Sequence, residues 1–180
     1  MLEKRRAKLG TQACRQAKEL LYEAFPRQEL FPFWMLRVMA RRGCVDFFAY
    51  YDGQEFAGLS YTIVGDRCAF VLYLAVNSRV RSRGYGSAIL ADIAASYPGK
   101  PISLDIEPVE SDAPNYEQRV KRLRFYERNG FARTGYRVEG EGEVYEVLTN
   151  STEFDPAALA DAMGKLSFGR MAPDIKKVSD

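Results

Sequence analysis

Histidine is missing from all 180 residues, and that gap constrains any chemistry. Without it the chain has no ordinary general base near neutral pH, no serine–histidine or cysteine–histidine nucleophile, and little capacity for transition metals. Cysteine is scarce: Cys14, Cys44 and Cys68 are odd in number, widely spaced and contain no C-x-x-C pair. That excludes a disulfide framework and a zinc site, and predicts reduced core thiols. No metal is expected. No apolar run approaches the length of a membrane span, and the basic segment Met1–Lys8 is not followed by the apolar stretch of a signal peptide. A cytoplasmic protein is predicted. An excess of either sign of charge is nearly absent too, with 26 Lys and Arg against 24 Asp and Glu. A formal net charge of +2 gives no electrostatic case for a nucleic-acid or membrane partner. Carboxylates, tyrosines, main-chain groups and the ligand itself must carry any reaction.

What is present reads as globular: 47% hydrophobic and 28% charged residues, at a length that predicts one domain over 1–180. Residues 11–150 form its expected core, and 151–180 a C-terminal helix and tail. Helical spacing of Ala13, Ala17, Leu20, Leu21 and Phe25 predicts a helix over Ala13–Phe25, stopped by Pro26. A second helix is predicted over Phe33–Arg42. Three β segments follow, Val45–Tyr51, Glu55–Val64 and a run ending at Val76, separated by Asp52-Gly53 and Gly65-Asp66 turns. Further on come a helix from Ser87 to Tyr97, a strand over Pro101–Glu107, a helix over Asn115–Arg128, and a hairpin of Ala132–Val138 with Glu143–Leu148. Asp155-Pro156 is a helix start, with loose chain expected past Gly169. The segment Leu2–Leu9 is poor strand sequence because of Glu3-Lys4-Arg5-Arg6, which leaves a first strand there open.

The segment Arg81-Ser82-Arg83-Gly84-Tyr85-Gly86-Ser87 lies between the apolar strand Cys68–Val76 and the next helix. Glycines let a main chain approach a ligand closely, and the helix start offers free N–H groups and the positive end of its dipole. Arg81 and Arg83 add donor forks suited to phosphate oxygens. The loop therefore reads as an anion site. It is neither a dinucleotide fingerprint, which wants Gly or Ala where Ile89 stands, nor a P-loop, which needs Gly-Lys followed by Ser or Thr.

Together with Arg124-Phe-Tyr-Glu-Arg-Asn-Gly-Phe131, this R-x-x-G-x-G pattern resembles the GNAT superfamily of acyl-CoA-dependent N-acetyltransferases over Asp46–Leu148. The resemblance implies an α/β fold of three layers. Its mostly antiparallel, twisted mixed sheet has six to seven strands with a parallel, splayed central pair, and four to five helices flank it. It implies acetyl-CoA as co-substrate, its diphosphate on Arg81, Ser82, Arg83, Gly84, Tyr85, Gly86 and Ser87. The pantetheine arm would pair with the main chain of Leu74, Ala75 and Val76. Where many relatives carry an asparagine that touches the arm, this chain has Arg119, so either Asn115 or Arg119 takes that role or neither does.

The family often places its general acid at the position of Tyr126, and a phenol is chemically able to serve a departing thiolate. The other reading of Tyr126 is a core residue in helical step with Leu123. For the proton of the amine, Glu107 stands first and Asp105 second; each is otherwise a solvated or ion-paired carboxylate. Phe25, Glu29, Phe33 and Trp34 lie in the elements that line the acceptor side in this family, and core packing accounts for the aromatics equally well. The expected activity is direct acetyl transfer to a primary amine of a small molecule or peptide. A non-catalytic acyl-CoA sensor, or modification of a protein N-terminus or aminoacyl-tRNA, is the alternative. A homodimer is left open.

Overall fold

The structure is a computed structural model that describes residues 2–80, 83–140, 142–167 and 173–178. In chain order the elements are β1 (Glu3–Arg6), α1 (Gln12–Ala24), α2 (Phe33–Met39), β2 (Val45–Asp52), β3 (Glu55–Val64), β4 (Ala69–Val76), α3 (Tyr85–Ser96), β5 (Ile102–Ile106), α4 (Tyr116–Arg128), β6 (Ala132–Gly140), β7 (Glu143–Thr149), α5 (Pro156–Gly164) and β8 (Asp174–Lys177). The strands hydrogen-bond in the order β1-β2-β3-β4-β5-β7-β6-β8, a mostly antiparallel mixed sheet with one parallel pair. The α/β class is as expected, and the eight strands among the described residues exceed the expected six to seven.

Two compact units make up the chain: 1–64 with 71–98, and 65–70 with 99–180. In the first, α1 buries Ala13, Cys14, Ala17, Leu20 and Leu21, the stripe that its helical spacing sets out. Thr11 caps it, accepting from Cys14 N–H at 3.2 Å. β2 alternates buried Val45, Phe47 and Ala49 with half-buried Asp46 and Phe48, while β3 is buried along almost its whole length. A chain of ring contacts runs from Phe33 to Phe47 to Tyr61 to Tyr73 to Phe25, at centroid distances of 6.4, 5.2, 6.2 and 5.0 Å. α2 stops at Met39, short of the expected Arg42.

β1 forms despite its charges. Main-chain pairing with β2, from Glu3↔Tyr51 to Arg6↔Phe48, needs no apolar side chains. The cations meanwhile find partners: Arg5 lies over the Tyr51 ring, Arg6 over Phe48 and beside Asp46 Oδ1 at 2.7 Å, and Lys4 beside Asp92 at 2.9 Å.

In the second unit, Ile102, Leu104 and Ile106 of β5, Leu123 and Tyr126 of α4, Phe131, and Val147 and Leu148 of β7 are buried. The foot of β4 belongs here, with Ala69 N–H donating to Pro101 O at 2.9 Å. Asp155 caps α5 as its Asp-Pro signature predicts, accepting from the N–H groups of Ala157 and Ala158. The tail departs from expectation: beyond α5, Asp174–Lys177 is strand β8, paired with β6, not loose chain. Gly169 itself lies outside the described residues.

Candidate functional site

Each unit carries one cluster of interest. In the first, Asn77 closes β4: its side-chain amide donates to Phe56 O at 2.8 Å and its N–H to Ala57 O at 2.9 Å. A 3-10 turn, Ser78–Val80, buries Val80. Arg81 and Ser82 lie outside the described residues. Gly84 then takes φ +76, a left-handed conformation that a Cβ disfavours, although open space surrounds the position where a Cβ would sit. Its carbonyl accepts the first helical bond of α3 from Ala88 N–H at 3.0 Å, and no side chain among the described residues caps the helix. The N–H groups of Tyr85, Gly86 and Ser87 thus stand at an open, uncapped start, which fits an anion. Arg83 sits beside them, exposed, with Nη1 2.7 Å from Glu55 Oε2. Tyr85 is buried against Ala57 and Val80, with Leu2 and Val76 packed on the group, and its hydroxyl donates to Asp52 Oδ2 at 2.8 Å. Tyr85 first and Glu55 second hold the Arg83 guanidinium above its ordinary pKa. Upstream on β4, Leu74 and Val76 are half-buried and Ala75 is buried.

In the second unit, Tyr126 is 8% exposed, its ring between Phe125 and Phe131 at 5.1 and 5.9 Å. Burial pushes the phenol up to about 12; Arg122 opposes that shift and Asp105 adds to it. No hydrogen bond among the described residues takes up its hydroxyl. Glu107 is heavily engaged. Arg119 Nη2 and Arg122 Nη1 lie 3.0 and 2.8 Å from its carboxylate, and Asn115 Nδ2 donates to both oxygens at 3.1 and 3.3 Å. Burial alone would raise Glu107, but Asn115 and the two arginines outweigh it and hold the carboxyl below its usual value. Arg119 also donates from Nε to Asn115 Oδ1 at 2.7 Å and from Nη1 to Pro108 O at 2.8 Å.

With the loop, the uncapped α3 and the α4 tyrosine in place, comparison with known families is decisive. The model of the acetyltransferase (GNAT) domain matches residues 43–133, half of the chain. The chain belongs to the GNAT acetyltransferase family. That family is one of acetyltransferases. YjbC of Bacillus subtilis (strain 168), which bears an acetyltransferase name, is 40% identical over 75 residues, 40% of this chain and 36% of that protein. The match thus spans little more than a third of that relative's length. A GNAT-family structure from Bacteroides thetaiotaomicron superposes with a TM-score of 0.71 at 24% identity, covering 92% of this chain and 94% of the other. The Bacillus subtilis acetyltransferase solved in complex with CoA gives a TM-score of 0.58 at 13% identity over 85% of this chain and all of that one.

Against that GNAT frame the expected residues divide. Arg83, Gly84, Tyr85, Gly86 and Ser87 share the turn into α3. Asn115 and Arg119 are drawn into the Glu107 network and bond one another. Phe25 and Glu29 are gathered by a residue the sequence did not single out: Tyr73 meets Phe25 edge to face at 5.0 Å, donates its hydroxyl to Glu29 O at 2.9 Å and accepts from Phe31 N–H at 3.1 Å. Phe33 lies against Phe47, with Lys18 Nζ 5.6 Å from its ring, whereas Trp34 is 67% exposed. Asp52 and Glu55 were also missed. Their signal was an acidic residue on each side of a hairpin turn, which linear spacing cannot aim at a loop some thirty residues away. Among the described residues no cluster of three or more His, Cys, Asp or Glu could hold a metal.

Proposed function

We propose that the protein transfers the acetyl group of acetyl-CoA directly to a primary amine of a small molecule or peptide, within a ternary complex and without an acyl-enzyme. The observation that carries this reading is the uncapped start of α3, opened by left-handed Gly84 and flanked by Arg83. The N–H groups of Tyr85, Gly86 and Ser87, with Arg83, would hold the diphosphate, and Arg81 and Ser82 complete the motif. The main chain of Leu74, Ala75 and Val76 would pair with the pantetheine arm. When bound, acetyl-CoA supplies an activated thioester.

Tyr126 would donate a hydrogen bond to the sulfur. Its phenol, at about 12, remains protonated at any physiological pH. Full transfer to a thiolate of reference pKa about 8.5 is uphill by roughly 3.5 units, so the phenol acts mainly as a fixed donor. Glu107 or Asp105 would accept the amine proton, directly or through water, and the ion pairs of Glu107 count against its acting as a base. Phe25, Glu29, Phe33 and Trp34 would bound the acceptor.

Calorimetry with acetyl-CoA, followed by thiol-release assays over amines and peptides, tests the proposal. Saturable binding and amine-dependent thiol release are expected, and Tyr126→Phe should lower kcat about 10- to 100-fold with acetyl-CoA affinity unchanged. Binding without release for any amine would make the protein an acyl-CoA sensor instead. Parallel loss of affinity and rate in Tyr126→Phe would remove the phenol from the chemistry.

A further inference from the structure

The β2–β3 turn reaches the glycine loop at two points, and the two ties differ in kind. Asp52 and Glu55 face each other across the end of the hairpin. Asp52 holds the hydroxyl of Tyr85, whose ring is buried in the small cluster with Ala57 and Val80 and cannot leave without opening it. Glu55 holds Arg83, and no packing fixes that pair: the two side chains are 45% and 57% exposed. An exposed ion pair is worth at most about fivefold in an equilibrium constant and is readily exchanged.

Arg83 stands one residue before Gly84, so its guanidinium, which the neutral Tyr85 hydroxyl also holds, faces two anionic claimants, the Glu55 carboxylate and any anion seated on the N–H groups of α3. We propose that Glu55 is a built-in competitor that occupies Arg83 until a diphosphate displaces it. The inference rests on the reading that the loop takes the diphosphate of coenzyme A. A guanidinium fork bonds a carboxylate and a phosphate with similar geometry, and the ligand with more charge and more acceptor oxygens wins. Asp52 meanwhile keeps Tyr85, and with it the first turn of α3, in place during the exchange. Glu55 therefore orders the empty loop and lowers its affinity for phosphate ligands. Removing its charge should strengthen binding, the opposite of what loss of a merely structural residue would do.

Calorimetric titration of the full chain with coenzyme A decides the matter, using wild type, Glu55→Gln, Arg83→Ala and the double variant. Glu55→Gln should bind about three- to fivefold more tightly than wild type. In the Arg83→Ala background the same substitution should have no effect, because the competition runs through that one guanidinium. Equal or weaker binding by Glu55→Gln overturns the proposal. So does an equal gain in the Arg83→Ala background, which would mean general relief of negative charge. Both outcomes leave the coenzyme A reading standing, whereas a wild type silent toward coenzyme A sinks that reading and this proposal with it.

Discussion

Gly58 and Gly84 are glycines for different reasons, and the difference predicts how each tolerates a methyl group. At Gly84 the backbone is left-handed and the surrounding space is open, so Gly84→Ala should cost only about 1 kcal/mol, the strain of that conformation. Gly58, in the middle of β3, is limited by room. A Cβ there would lie 2.4 Å from the carbonyl oxygen of Ala75 and 3.0 Å from Ile89 Cδ1. The first obstacle is backbone of β4 and cannot swing aside like a side chain. Gly58→Ala is therefore expected to destabilise the fold by about 2–3 kcal/mol, read as a lower urea midpoint with an unchanged slope. The displaced carbonyl belongs to the stretch Leu74–Val76, so coenzyme A affinity should fall as well. A Gly58→Ala protein as stable as wild type would mean that β3 and β4 separate more easily than their close approach implies.

α4 is a cationic helix, with Arg119, Lys121, Arg122, Arg124 and Arg128 along it, and Glu107 anchors the start of it. Replacing Glu107 by Gln leaves Arg119, 16% exposed, without its main counter-charge. A loss of about 1 kcal/mol is expected, or a Tm lower by about 2–4 °C at pH 7. The sign with pH follows from the lowered carboxyl. Its stabilisation is complete above the ordinary value of 4.5 and disappears as pH falls through the lower folded value. The Tm gap between wild type and Glu107→Gln should close on acidification below about pH 4, and a gap that persists there would assign the loss to packing. The same variant separates anchor from base, since an anchor keeps most of kcat and a base does not. The sequence offered an ion pair with the arginine-rich helix as one reading of Glu107, but which residues take part was not legible, because its bonds to Asn115, Arg119 and Arg122 depend on the course of the loop between β5 and α4. What could be read was periodic: the α1 stripe, the alternation in β5, the Asp-Pro start of α5 and the glycine loop leading into α3. Strand β8 escaped and β1 stayed open because short charged strands lack alternation, and main-chain pairing to a neighbour defines them.

The two elements least legible as strands are also the two ends of the sheet, β1 with Glu3-Lys4-Arg5-Arg6 and β8 with Asp174-Ile175-Lys176-Lys177. An outermost strand exposes unpaired N–H and C=O groups to any other chain, and charged side chains are a common guard against such pairing. Lys176 is held by Glu139 and Asp174 at 2.6 and 2.9 Å, which keeps charge of both signs on that rim. Replacing Lys176 and Lys177 by Val would give a run of four β-branched residues, from Ile175 to Val178, at the open rim and take the formal net charge from +2 to zero. Both changes promote association, so a second variant is needed to separate them. Lys18→Gln with Lys121→Gln reaches the same net charge at exposed positions on the helices α1 and α4, away from the sheet rims. Light scattering over a concentration series should show self-association of the valine variant at concentrations where the glutamine variant remains monodisperse, with circular dichroism unchanged in both. Equal association by the two would make net charge, not the guarded rim, the factor that keeps these molecules apart.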